Sequence, residues 1–440
     1  PTDTSDNNRS FKLDSIVLYD KLDRLVNKEE AIPLKRVIFD YDYSLCENVE
    51  GQIEVGKGKL TLQSIEILNG NSNNGKKSPY LFIYSNVNPD YNPDAVDRWG
   101  NYKPKSVNPD GIKNADFPYS PQEYTDSLNT WANAWSLKEI ITPIGGKINV
   151  EYEADDYAFI QDKTAMQMYP VIGAGSSKEY ASSDNLYGNK YLYMNTPSSI
   201  ASISSELNNT ALKRLLLDGE QMYFKFLTDI GSGFEYVPGY TTVSDIGFCN
   251  NDSTKQHIYI ELKSNEEGIT SVSEIAWGFF RQNLFEVLYE QPNVDDNALE
   301  SVLKGMKANI GDILNLFVGV EDRLRQREIA NKFKVNKSFV RLNNADGYKK
   351  GGGSRVKSLT VNDNWKKMSG EGENSSYGQY YIYEIDDENK GKISSGVASY
   401  EPLVGNDENP FREPVPFISQ ARNGHVPVIK GYQEKPFGES

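Results

Sequence analysis

The sequence predicts a mainly β protein built from consecutive antiparallel hairpins, with one helical hairpin inserted late in the chain. Three observations lead there. Val37, Phe39, Tyr41 and Tyr43 alternate with Ile38, Asp40 and Asp42, the period-two spacing of a strand rich in aromatic and β-branched residues. Similar short runs recur along the chain, separated by clusters of Gly, Asn, Asp and Pro that read as turns. Residues 271–330 break this pattern for about sixty residues, with apolar residues at helical spacing. The 440 residues are enough for two to three domains and a substantial core.

Taken in order, residues 11–25 read as a short strand followed by a helical turn, with Leu13, Ile16, Val17, Tyr19 and Leu22 apolar. Residues 37–43, 59–67 and 80–84 are strands, with a Gly-rich stretch at 51–58 and a turn at 69–75. Residues 86–120 hold three Asn-Pro-Asp triplets. Each X-Pro restricts the residue before it to extended conformations, so this is a long ordered loop, with Trp99 and Tyr102 as its expected buried anchors. Residues 121–135 read as a helix. A hairpin follows at 137–152, its turn supplied by Pro143, Gly145 and Gly146. Residues 190–194 are a strand and 203–217 a helix ending at Asp218-Gly219. Residues 223–227 and 234–237 form a hairpin, with further strands at 243–247 and 257–262.

Ser271 and Glu274 spell a capping box ahead of an apolar run through Leu288. Pro292 ends that run. Asp295 and Asp296 can then cap a second helix carrying Leu299, Val302, Leu303, Met306, Ile310, Ile313, Leu314 and Phe317. Its basic end, at Arg323, Arg325 and Arg327, suits the helix dipole. Residues 339–342 and 355–361 are expected to pair as a hairpin, as are 380–385 and 392–398. From 401 the chain is Pro-rich and expected to be irregular. These readings divide the chain into a β meander with its Asn/Pro/Asp-rich loop at 1–120, hairpins with short helices at 121–270, a helical insertion at 271–330, and β hairpins with a Pro-rich tail at 331–440. The chain opens on Pro1 and closes without a final element, from which a segment of a longer polypeptide is expected.

The formal net charge of −15 argues against a general nucleic-acid binder, whose phosphate affinity rests on Lys and Arg. No run approaches the ~18–20 apolar residues of a membrane-spanning helix. Cys46 and Cys249 are the only cysteines; they form no CxxC and are read as buried thiols. With only His257 and His425, a His-based zinc site or a Ser/His/Asp triad is nearly excluded.

Leu137, Ile140, Pro143, Gly145 and Gly146, followed by Val150 and Tyr152, resemble the strand–turn–strand unit of Rhs/YD-repeat proteins. That family includes the shell-forming B and C components of Tc toxins. The stretches 78–104, which contains DRWGNYKP, 135–166, 351–356 and 393–414, which contains DENPFR, are similar to very large Rhs-like secreted or surface polypeptides of bacteria that use type IX secretion. The resemblance implies a YD-repeat-like shell wall, a secreted or cell-surface location, and partners that are the rest of the same polypeptide, an enclosed toxin domain or the secretion machinery. Tandem Y-D-x-x-G-R repeats and the DPxG self-cleavage motif of the family are missing here.

No catalytic constellation is visible. Glu151, Glu153, Asp155 and Asp156 crowd one hairpin, but Glu151 and Glu153 share a strand face and make a poor opposed pair for glycoside hydrolysis. Asp155, Asp156 and Asp407, in turns, are candidate ligands for Ca²⁺, the one cofactor considered. Trp99, Tyr102, Trp131 and Trp135 are candidate binding residues, since aromatic faces with polar neighbours suit sugars or peptides; the same residues also serve as core and cross-strand pairs. The glycines at 351–353 lack the ending of a phosphate loop and precede a strand. The expectation is a non-catalytic structural segment of a shell that encloses or presents a toxin or effector. The alternative is a cell-surface adhesin or glycan- or protein-binding module; a hydrolase is the third reading.

Overall fold

The computed structural model describes residues 11–50, 57–201, 208–216, 221–264, 269–283, 324–387, 391–402, 407–412, 414–420 and 427–434. It is mainly β, with antiparallel sheets. The chain divides into two compact units, each discontinuous in sequence: Pro1–Val107, Lys113–Asp156 and Lys350–Ile385 form the first, and Asn108–Ile112, Tyr157–Lys349 and Asp386–Ser440 the second.

The first unit is built on an eight-stranded sheet. Its first six strands, Ser15–Tyr19, Pro33–Leu45, Lys59–Asn69, Tyr80–Tyr84, Leu137–Ile141 and Lys147–Tyr157, lie side by side in chain order. Strand Lys349–Asn362 then adds beside Lys147–Tyr157, and Ser376–Tyr380 forms the far edge. The expected hairpin at 137–152 is present, with Ile140 opposite Ile148. The alternation at 37–43 also gives its strand, but two register shifts interrupt the pairing with Lys59–Asn69, which bends the ribbon. Most side chains of this sheet are half-buried or exposed on both faces.

Burial in the first unit concentrates under the Asn/Pro/Asp loop. The expected anchors Trp99 and Tyr102 are only half-buried; the buried residues include Asp97, Arg98, Lys103, Phe117 and Tyr119. The Lys103 ammonium donates to the carbonyls of Phe117 (2.5 Å) and Tyr119 (2.7 Å). Phe117 meets Tyr119 edge to face at 4.9 Å, and Arg98 lies 4.8 Å over the Tyr119 ring. A polar scaffold under a long loop answers the backbone groups that lack a sheet or helix partner. Helix Thr125–Ala132 is shorter than the expected 121–135.

The second unit holds a larger sheet in the order Gly173–Gly175, Tyr191–Asn195, His257–Leu262, Phe234–Phe248, Gln221–Asp229, Phe339–Asn343, Met166–Pro170. The expected hairpin at 223–237 is its centre, and the strand at 243–247 is the continuation of Phe234–Phe248. That long strand pairs at one end with Gln221–Asp229 and, past a register shift between Val243 and Asp245, with His257–Leu262. Helix Ser271–Asn283 buries Val272, Ile275, Ala276, Trp277 and Phe280 in the core cluster shared by Phe224, Phe226, Val237 and Phe333. Gly239 makes this approach possible: a Cβ there would lie 2.6 Å from Ile275 Cγ2 and 2.8 Å from Phe224 Cζ.

Several expectations are corrected. Residues 339–342 and 355–361 do not pair: Phe339–Asn343 lies between Gln221–Asp229 and Met166–Pro170, and the chain then leaves for the other sheet. Long-range pairing displaced the local hairpin. Ser271 is the first helical residue rather than a cap, and its hydroxyl bonds that of Thr241. Of the helix expected at 203–217, the described residues show Asn208–Lys213 followed by a turn to 216; residues 203–207 and 217 lie outside the described residues, and a separate helical turn is present at Ser198–Ala201. The strand at 380–385 is broken, Ser376–Tyr380 and Glu384–Asp387 being separate. The Pro-rich tail contains the paired strands Pro414–Gln420 and Pro427–Glu434. The second helix expected from Asp295 falls mostly on 284–323, outside the described residues, as does the part of the first helical run beyond Asn283.

Candidate functional site

A polar and aromatic cleft in the first unit gathers two of the four candidate binding residues. Asp97 organises it. Its Oδ1 accepts the backbone N–H groups of Trp99 and Asn101, both at 2.9 Å, and its Oδ2 accepts the Ser120 hydroxyl at 2.8 Å. This Asx-type bonding folds the DRWGN segment back on itself. Burial pushes the Asp97 carboxyl above its ordinary value, against the lowering effect of those donors. The cleft is lined by Asp97, Asn101, Tyr102, Ser120, Trp131 and Lys350, with Gly351 and Gly353 along one wall.

Tyr102 and Trp131 both face this cleft. Trp99 packs against Gly351, where a Cβ would come within 2.5 Å of its indole nitrogen. That contact explains the first glycine of the run as a close-approach residue. Trp135 is committed to structure. Its backbone takes a φ of 59°, its indole N–H donates to the Pro89 carbonyl at 2.9 Å, and Tyr102 meets its ring edge on at 6.2 Å. Lys350 donates to Asn129 Oδ1 at 2.9 Å, and burial lowers its pKa from the ordinary lysine value. Gln122 fixes the Lys350 backbone by accepting its N–H at 2.7 Å and donating to its carbonyl at 2.9 Å. The recess itself is about the size of one water, so a sugar or polar peptide segment would rest on its aromatic and polar rim rather than enter it.

The acidic hairpin forms a separate cluster. Arg355 donates to Glu153 at 2.9 Å, to Asp155 at 3.1 Å, and to both oxygens of Asp156 at 2.8 Å. Its guanidinium also lies 4.2 Å over the Tyr383 ring. Burial works against the charge, but hydrogen bonds to Asp156 and Glu153 hold the Arg355 pKa above its ordinary value. Glu151 is apart, accepting the Ser358 hydroxyl at 3.0 Å. Asp155 and Asp156 are thus drawn onto a guanidinium. Asp407, in the second unit, accepts Tyr223 Oη (2.6 Å), Arg412 (2.8 Å) and Lys225 (3.0 Å). In both places protein cations supply the positive charge that Ca²⁺ would bring. No group of three or more His, Cys, Asp or Glu side chains suited to a metal occurs among the described residues.

Sequence reasoning missed the most deeply buried ionic cluster, Lys349 with Glu401 and Glu408, in the second unit. Lys349 lies more than fifty residues before the two glutamates, and although the quoted stretches contain Glu401 and Glu408, nothing in them points to a lysine partner. The two cysteines are free and buried. Among the described residues no helix is long and apolar enough to cross a membrane. Comparison with known proteins finds no matching family, curated protein or solved structure.

Proposed function

We propose that this chain is a non-catalytic structural segment of an Rhs/YD-repeat-like secreted or cell-surface bacterial protein, forming part of the wall of a shell that encloses or presents a toxin or effector. The observation that carries the reading is the apolar, uncovered border of the eight-stranded sheet. On its first edge, Ile16, Val17 and Leu18 are exposed along strand Ser15–Tyr19. The adjoining helix Lys21–Asn27 is capped by Asp20, which accepts the N–H groups of Leu22 (2.8 Å) and Asp23 (3.0 Å). It buries no residue, leaving the stripe Leu22, Leu25 and Val26 in solvent. On the opposite edge every residue of Ser376–Tyr380 is exposed, with Tyr377 and Tyr380 followed by Tyr381 and Ile382. A free-standing sheet normally blunts its edges with charge, bulges or a covering element. Apolar side chains on open edges suit a sheet that continues into neighbouring segments of the same polypeptide.

Single-particle imaging of the full-length polypeptide that contains this chain tests the reading. A hollow closed shell with this segment in its wall, and density inside, is the expected result. An open rod, or a surface filament with the Asn/Pro/Asp loop outward, overturns it.

The cleft of Tyr102, Trp131 and Lys350 favours the second reading, a glycan- or protein-binding module. Saturable glycan binding that Trp131→Ala or Trp99→Ala abolishes is its signature. Binding that survives both substitutions, or none on a broad glycan panel, removes it.

A further inference from the structure

The side chains of Lys349, Glu401 and Glu408 are 1 %, 1 % and 0 % exposed, so an amine and two carboxyl groups share one buried pocket of the second unit. Lys349 Nζ donates to the Met166 carbonyl and to Glu401 Oε1, both at 2.9 Å, and to Glu408 Oε2. Glu408 Oε1 accepts the Met168 backbone N–H at 2.9 Å. Glu401 Oε1 also accepts the Tyr157 hydroxyl. Every group needed for an acyl transfer is therefore present: a nucleophile, an acceptor carboxyl with one oxygen on a backbone N–H, and a second carboxyl bridging to the amine.

We propose that Lys349 and Glu408 condense to an intramolecular amide cross-link, with Glu401 as the proton relay. Burying an ammonium beside two carboxylates is costly. The reaction starts with proton transfer along the existing hydrogen bond from Nζ to Glu408 Oε2, which yields the amine and the acid that react. Nζ attacks Cδ of Glu408. The negative charge that develops on Oε1 falls on the Met168 N–H, a preorganised donor. Glu401 accepts a proton from Nζ and delivers it to Oε2, which leaves as water. The Nζ–Cδ bond forms, the Cδ–Oε2 bond breaks, and one water is released; no oxidant, reductant or co-reactant is consumed. Fixed juxtaposition replaces the activation that a free amine and acid would require. The backbone donor selects Glu408 as acceptor, because Glu401 Oε1 already bridges Nζ and the Tyr157 hydroxyl. The product ties the start of strand Lys349–Asn362 to the loop at 407–412, a covalent staple suited to a load-bearing wall.

The test is the intact mass of the purified wild-type chain, followed by a tryptic map. The expected mass is short by one water. Cleavage after Lys349 is expected to be blocked, with peptide 342–350 joined to peptide 393–412 through Glu408. Glu401→Gln and Lys349→Arg are each expected to have the full mass. A wild-type chain at full mass, with peptide 342–349 released free, overturns the proposal. So does a lost water that maps to a cyclic imide at Asp346-Gly347, or a cross-link that maps to Glu401. A Glu401→Gln chain that still loses the water overturns the relay.

Discussion

Asp97 carries the loop around the cleft, and its ionisation makes the strain of that position measurable. Three donors converge on its carboxylate, so Asp97→Ala leaves buried N–H and O–H groups unpaired and is expected to cost about 1–3 kcal/mol in urea unfolding. Burial raises the folded-state pKa above the ordinary 3.8, so the folded chain binds more protons than the unfolded chain between those two values. Stability should therefore fall as pH rises through that window and level off above it. Asp97→Asn keeps an acceptor without the charge and should flatten this segment of the pH–stability curve; an unchanged curve would place the raised pKa elsewhere. The thiols obey the same physics. Burial, reinforced by the Asp252 charge, pushes Cys249 up to about 12, and burial raises Cys46 as well. Neither is expected to react with iodoacetamide at pH 8 in the folded chain, and both should label fully in denaturant; rapid native labelling would show an open thiol. Two buried thiols were legible in the sequence. The role of Asp97 was not, because residue type and spacing show aromatic anchors, whereas which backbone N–H groups a loop carboxylate accepts depends on how the loop folds. A loop without sheet partners is held first by satisfying its backbone, and Asp97 and Lys103 do that.

At the scale of elements, the contact of helix Ser271–Asn283 with the central strands depends on the missing side chain of Gly239. Gly239→Ala places a methyl group 2.6 Å from Ile275 Cγ2, an overpacking expected to destabilise the chain by about 1–3 kcal/mol. Ile275→Ala removes the nearer obstruction, leaving Phe224 Cζ at 2.8 Å, but opens a cavity of its own. The double variant should therefore be more stable than the two single losses predict, a coupling readable in a double-mutant cycle. Additive losses would mean that helix and strand separate rather than clash. Local chemistry explains which elements were legible. Leu137–Ile141 and Lys147–Tyr157 are joined by a turn whose Gly145 takes a φ of 83°, so alternation and turn residues point to the same hairpin. Phe339–Asn343 shows the limit. Asn343 to Gly353 has the composition of a turn, yet Phe339–Asn343 finds its partners at Met166–Pro170 and Gln221–Asp229, more than a hundred residues earlier. The period of a strand says that it pairs, not with which strand. Likewise Pro414 and Pro416 argued against a strand, but Pro414–Gln420 pairs only with Pro427–Glu434, on an edge where a missing N–H is tolerated.

At the scale of the whole molecule, the wall reading rests on how the first sheet ends, and that can be examined on the purified chain. Strand Ser15–Tyr19 and helix Lys21–Asn27 present Ile16, Leu18, Leu22, Leu25 and Val26 to solvent, and Ser376–Tyr380 presents Tyr377 and Tyr380. The formal charge of −15 opposes association of copies in general, so any self-association must overcome that repulsion through specific apolar contact. If the edges are built to meet further strands, the chain at rising concentration should assemble edge to edge, seen as a growing mean mass in sedimentation velocity. Raising the salt should strengthen the assembly, because screening weakens the repulsion and leaves the apolar contact intact. Ile16→Lys with Tyr377→Lys places a charge on each open edge, the device by which natural sheets prevent such pairing, and should return the chain to a monomer with an unchanged circular dichroism spectrum. Both positions are exposed, so neither substitution disturbs a packed core. A chain that stays monomeric at every concentration and salt, with native edges, would mean that these side chains are tolerated in solvent. The wall reading would then lose its support, and the cleft around Trp131 would become the feature that best accounts for the molecule.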